Sequence, residues 1–201
     1  MLRPLLTALA VAAALQTAAC GSESERTPAT TPSTATAPTP TTTTPPKGGI
    51  DPMADASTRP VHVPATEAET ALLTAVRAAR HEGYDRVVFQ FRNALPGYDV
   101  RYVSPPVRQD ASGRIVPIAG SAVVRIRMEP ALDADLSQAS APLTYTGPQR
   151  FKPGTPELVE LARAGGFEGV LTWVAGLRDP VDFRVRTLVA PPRLIVDFRN
   201  H

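Results

Sequence analysis

Tyr84-Asp85-Arg86-Val87-Val88-Phe89-Gln90-Phe91-Arg92 is the stretch that decides the fold. Val87, Phe89 and Phe91 fall on one side of an extended chain, and Val88, Gln90 and Arg92 on the other. A period of two suits a half-buried strand and not a helix. Just upstream, His81-Glu82-Gly83-Tyr84 reads as a hairpin turn with Gly83 at positive φ, where a Cβ is unfavourable.

The same alternation recurs downstream. Tyr98, Val100 and Tyr102 oppose Asp99, Arg101 and Val103, and Val124, Ile126 and Met128 oppose Val123, Arg125 and Arg127. Phe183, Val185 and Thr187 oppose Arg184 and Arg186, and Leu194, Val196 and Phe198 oppose Ile195 and Asp197. Apolar residues inside and Arg outside is the signature of antiparallel strands with one wet face. Val170 to Leu177 is apolar on both faces and is expected at the centre of a sheet. The prolines from Pro96 to Pro192 fall between these runs or at their ends, as strands require. The fold class is therefore all-β and antiparallel.

Two segments admit more than one reading. Thr66-Glu67-Ala68-Glu69 has the form of a capping box, and the Ala-rich stretch to Arg80 suits a helix. Leu73, Ala75, Arg77 and Ala79 equally suit a first strand running into the turn at Gly83. Thr155-Pro156-Glu157 is a good helix start, from which we expect a helical turn and then a strand toward a turn at Gly165-Gly166.

Before Val61 the composition changes. Arg3 precedes an apolar run from Leu5 to Leu15, of export-signal length and too short to span a bilayer as a helix. Thr17-Ala18-Ala19-Cys20-Gly21 then resembles the bacterial lipobox, in which small residues precede a Cys that is acylated. Thr17 stands where Leu is usual. From Thr27 to Pro46 every residue is Thr, Pro, Ala or Ser, a composition that cannot bury enough apolar surface to fold. We expect a lipoprotein signal peptide over 1–19, lipidated Cys20 with a disordered Thr/Pro-rich linker over 20–60, and a folded domain over 61–201. On this reading residues 21–60 bury nothing, and the protein sits outside the cytoplasm, held to the outer face of the cell membrane through Cys20.

Composition excludes several functions. The net charge is +2, too small to argue for nucleic acid. All but Lys47 and Lys152 of the 21 basic side chains are Arg. Cys20 is the single Cys, which leaves the domain no disulfide and no thiol nucleophile. His62, His81 and His201 have no metal-ligand spacing, and no nucleophile elbow or phosphate-cradling loop occurs. Glu168 and Asp197 are the one conceivable acid–base pair, but Glu168 reads better as a hairpin turn and Asp197 as an outward residue of a terminal strand. No enzyme, cofactor or metal is expected.

His81-Glu82-Gly83-Tyr84-Asp85-Arg86-Val87-Val88-Phe89, Pro96-Gly97-Tyr98, Phe167-Glu168-Gly169-Val170-Leu171 and Pro191-Pro192-Arg193-Leu194-Ile195-Val196-Asp197-Phe198 together resemble the AMIN-like domain of actinobacterial lipoproteins. That domain is a relative of the AMIN module of cell-wall amidases. The resemblance covers roughly Leu72 to His201. It implies a β-sandwich, a non-catalytic role in the cell envelope, and peptidoglycan or another wall polymer as partner. Unlike the amidase arrangement, no catalytic domain follows. Within such a module the paired arginines Arg125/Arg127 and Arg184/Arg186 form basic stripes that suit carboxylates, and Tyr98, Tyr102 and Trp173 are candidates for stacking on sugar rings. At the level of residues the alternative is a solvated sheet face over an aromatic core. At the level of function the alternatives are an interaction module for another envelope protein, met at the sheet edge or the Arg face, and a hydrolase whose site is not recognised.

Overall fold

A computed structural model describes residues 51–66 and 68–201. Cys20, the signal peptide and the Thr/Pro-rich stretch lie outside the described residues. The regular elements are strands: β1 (Val61–Val63), β2 (Ala71–His81), β3 (Tyr84–Arg92), β4 (Gly97–Tyr102), β5 (Ala122–Glu129), β6 (Ala131–Leu132), β7 (Arg150–Phe151), β8 (Leu158–Phe167), β9 (Val170–Leu177), β10 (Phe183–Val189) and β11 (Pro192–Arg199). They form a six-stranded sheet in the order β1-β4-β5-β9-β8-β7 and a five-stranded sheet in the order β10-β11-β3-β2-β6. Pairing is antiparallel except between β2 and β6.

The two sheets pack face to face, as the sandwich expectation required. Val87, Phe89, Phe91, Phe183, Leu194, Val196 and Phe198 from one sheet meet Val100, Val124, Ile126, Met128, Leu161 and Trp173 from the other, all at most 2% exposed. β9 is central and buried on both faces.

Four local expectations need revision or sharpening. Residues 71–81 are a strand, and the helical alternative for them fails. A bulge between Leu73 and Ala75 resets the alternation, so Val76 and Ala78 turn inward while Ala75, Arg77 and Ala79 face out. No helical turn forms at Thr155-Pro156-Glu157; that segment is a bend leading directly into β8. The β8–β9 turn is not at Gly165-Gly166, which lie within β8, but at Glu168-Gly169, with φ of 50° and 77°.

The folded region also begins earlier than residue 61. Met53 is completely buried, Asp51 pairs with Arg199, Asp55 pairs with Arg184, and Ser57 exchanges two backbone hydrogen bonds with Phe183, each 3.0 Å. Residues 51–57 form a strap across one end of the five-stranded sheet.

A second, smaller core lies on the outside of the six-stranded sheet. The segment 103–121 folds back so that Val107 and Val116 cover Val123, Ala162, Ala164 and Val174. The outer-face position of Val123 is thus correct by alternation, but the residue is buried under this loop.

Candidate functional site: an arginine-rich sheet face

The outer face of the five-stranded sheet follows from its register. Arg184 lies opposite Asp197, which lies opposite Arg86. One step along, Arg186, Ile195, Val88 and Arg77 form the next row, and Leu188, Arg193 and Gln90 the row after that. Five guanidiniums from four strands therefore share a face on which Asp197 is the one strand carboxylate among these rows.

Asp197 organises them. Arg86 donates from Nε and Nη2 to its two carboxylate oxygens at 2.7 and 3.0 Å. Arg184 and Arg186 donate to Oδ2 at 2.9 and 3.1 Å. Burial pushes the Asp197 carboxyl up, but the hydrogen bonds from Arg86 and Arg184 and the nearby charges hold it below its ordinary value. As expected, Asp197 lies on the outer face of β11, the last strand of the chain, but it is not exposed. β11 lies between β10 and β3, and Asp197 is 0% exposed beneath its arginines.

Tyr84 forms the floor at one end. Arg86 sits 5.0 Å and Arg184 6.0 Å above its ring, and His81 stacks on it at 4.9 Å. At the other end Arg77 donates to Gln90 at 3.1 Å. Among the described residues neither Arg77 nor Arg193 forms a salt bridge, and the Arg193 Nε is buried without an acceptor.

The two arginine stripes lie apart. Arg125 and Arg127 lie on the outer face of the six-stranded sheet, and Arg184 and Arg186 on the opposite side of the sandwich. The first pair is also largely neutralised. Asp99 takes Arg101, Arg125 (3.7 Å) and His62 (3.6 Å), and Arg127 meets Glu129 at 2.5 Å. Arg127 and Tyr98 do share a cleft of about 270 Å³ with His62, Asp99 and Glu129, one that carries both signs of charge.

The other aromatics are structural. Trp173 is fully buried, with Phe89 and Tyr145 edge-on to it, each 5.8 Å away. The Tyr102 hydroxyl donates to the Val181 carbonyl at 2.6 Å and accepts the Val181 N–H at 2.9 Å, leaving it occupied. Trp173 offers no face to a sugar, and Tyr102 is half-buried.

The motif residues have local explanations. Gly83 has φ of 82°, and its turn brings His81 beside Tyr84. Asp85 is fully buried and crosses between the sheets, accepting from the Glu157 and Leu158 N–H groups at 2.7 and 2.9 Å and from Asn200 at 2.6 Å. A Cβ on Gly97 would strike the Ala65 nitrogen and lie 2.9 Å from the Glu129 carbonyl oxygen, so the approach of Pro64-Ala65 requires glycine. Pro96, buried in sequence with Gly97, leads into β4, and Pro192 opens β11 without interrupting it. Phe167, Glu168 and Gly169 form the exposed β8–β9 hairpin, on the sheet opposite to Asp197, so Glu168 and Asp197 make no acid–base pair. Among the described residues no group of His, Cys, Asp and Glu side chains is placed to hold a metal.

Sequence reasoning missed the role of Asp99 as a charge hub and of Met53 as a core residue. Register would have revealed Asp99, which lies opposite Arg127. Nothing in the spacing marks Met53.

The family model for the AMIN-like domain matches residues 71–200. No curated protein and no solved structure matches the chain. The match spans β2 to β11 and every residue of the Asp197 cluster, and on it the chain belongs to the AMIN-like domain family.

Proposed function

We infer that the chain is a lipid-anchored, non-catalytic cell-envelope protein whose sandwich binds peptidoglycan or another anionic wall polymer through the outer face of the five-stranded sheet. The observation that carries this reading is the surplus of guanidinium over carboxylate there: Arg86, Arg184 and Arg186 share Asp197, while Arg77 and Arg193 have no carboxylate partner among the described residues. Guanidinium forks suit the carboxylates and phosphates of wall polymers. Membership of the AMIN-like family supports the envelope setting. The anchor is Cys20, and Cys20→Ala should release the protein from the membrane fraction, since acyl chains supply about 0.8 kcal/mol per buried methylene.

The test is sedimentation of the full-length chain with purified sacculi at low and high salt. Arg77, Arg186 and Arg193 changed together to Gln should lower affinity at least tenfold. Arg125 and Arg127 changed together should leave it close to wild type. Binding should also weaken with salt, because exposed charges are screened over about 8 Å at physiological ionic strength. Salt-insensitive binding that survives the triple change would overturn the assignment to this face.

A further inference from the structure

A sandwich of two open sheets has four edges, and three of them here are blunted by brevity. The edge strands β1, β6 and β7 run three, two and two residues. The fourth, β10, runs seven residues in unbroken register with β11, without bulge or proline. Short strands, bulges, prolines and edge charges are the usual means of keeping a sheet edge from pairing with another chain. On β10 the first three are lacking.

The direction of its free groups follows from its first residue. Phe183 directs its N–H and C=O away from β11, because both bond to Ser57. Asp182, the residue before, directs its carbonyl to Arg199 of β11. Backbone groups alternate along an antiparallel strand. Val185, Thr187 and Val189 therefore present their N–H and C=O groups outward, past the point where Ser57 ends its cover. All three residues are β-branched, and Val189 is 78% exposed.

What would lie beside this edge is equally defined. On the inner side, a cavity of about 150 Å³ opens between Thr187 and Val63, Pro64, Leu95, Pro96 and Tyr98. Val63, at the edge of the other sheet, is itself exposed. On the outer side stands Arg186, whose side chain is 46% exposed, with Arg193 in the next strand. A strand added to β10 would place alternate side chains over a partly apolar hollow, which Thr66 also lines, and beside guanidinium groups.

We propose that the edge of β10 is a docking site for an extended acidic segment of a partner polypeptide, added as a sixth strand with apolar residues over the Val63–Tyr98 cavity and carboxylates beside Arg186. A second copy of this chain is the less suitable occupant. Antiparallel pairing of β10 with itself sets Arg186 opposite or diagonal to an arginine of the copy, and like charges across a strand pair are destabilising. An acidic partner reverses that sign. The site adjoins the polymer-binding face but does not depend on that reading.

The probe is an N-acetylated eight-residue peptide alternating Glu with Val or Thr, titrated at up to millimolar concentration against the full-length chain. Peptide binding should slow hydrogen exchange at the Val185, Thr187 and Val189 amides at least tenfold and leave the alternate amides of β10 unchanged. Thr187→Pro removes one outward N–H while keeping the bonds to β11, and it should weaken peptide binding at least tenfold. Circular dichroism confirms its fold, and its sedimentation with sacculi should be unaltered. A matching peptide with Lys in place of Glu should bind at least tenfold more weakly. Unchanged exchange at the three amides in the wild-type chain would overturn the proposal whatever the variant does. So would a concentration-dependent dimer of the chain that Thr187→Pro abolishes, which would assign the edge to self-association.

Discussion

Arg86 and Asp197 stand 111 residues apart in the chain, yet they meet through two parallel hydrogen bonds of 2.7 and 3.0 Å across neighbouring strands β3 and β11. The pair ties an early motif of the sequence to the last one. It also fixes the centre of a face on which two further arginines converge.

Asp197→Ala should therefore destabilise the domain by about 3–5 kcal/mol, the usual cost of leaving buried charge without its partner. Arg86 and Arg186 would lose their carboxylate, and Arg184 would keep only Asp55. Urea unfolding followed by Trp173 fluorescence measures the loss, and a change within error of zero would remove Asp197 from the framework.

The same carboxylate gives acid sensitivity a definite sign. Its folded pKa lies below its ordinary value, so folding favours the charged form. The stabilisation is complete above about pH 4, the ordinary carboxylate range, and is lost as pH falls through the folded pKa. The urea midpoint should fall between pH 5 and pH 2 more steeply in the wild type than in Asp197→Asn.

Asp85→Ala should cost about 3 kcal/mol, because it leaves the Glu157 and Leu158 N–H groups buried without their acceptor. Amide exchange gives a local check. Those two amides should exchange faster in the variant even under conditions where the core of β9 stays protected.

Gly83→Val should cost roughly 1–2 kcal/mol through its left-handed backbone. Gly83→Asn should cost less than half as much, since Asn tolerates that region. The nearest atom to a new Cβ is Pro52 Cγ at 3.5 Å, an ordinary contact, so strain and not collision is what the two variants compare.

A chain starting at Val61 should melt about 5–10 °C below one starting at Asp51. It loses the burial of Met53, about 2 kcal/mol for a side chain of this size, together with the Ser57 bridge. Calorimetry of the two chains decides the matter, and equal midpoints would mean that the strap contributes nothing.

Much of this architecture was legible in the sequence, for a physical reason. A half-buried strand records its inner face every second residue, and Val87, Phe89, Phe91, Val124, Ile126 and Met128 do so cleanly. β2 was ambiguous because its Ala-rich stretch carries little strand preference, and its bulge interrupts the alternation that would have compensated. Alternation also says which side of a strand a residue occupies, but not which sheet the strand joins. Arg125 and Arg184 thus looked equivalent and lie on opposite sides of the molecule. Asp197 was read correctly as an outer-face residue and wrongly as exposed, because the side chains covering it come from two other strands. Trp173 looked available only because a strand apolar on both faces does not declare how thoroughly it is enclosed.

The strap at residues 51–57 gives the molecule a mechanical property. Tension arriving from the N-terminal side meets the Asp51–Arg199 pair, the seat of Met53 and the Ser57–Phe183 bridge before it reaches any long strand. These are separate single contacts that would open in turn, whereas β10 and β11 are joined by a continuous ladder seven residues long. Peeling residues 51–60 would pay out about 33 Å of chain at about 3.3 Å per residue. The sandwich would then feel the pull only after that slack is spent, so the strap works as a compliant spring in series with a stiff body.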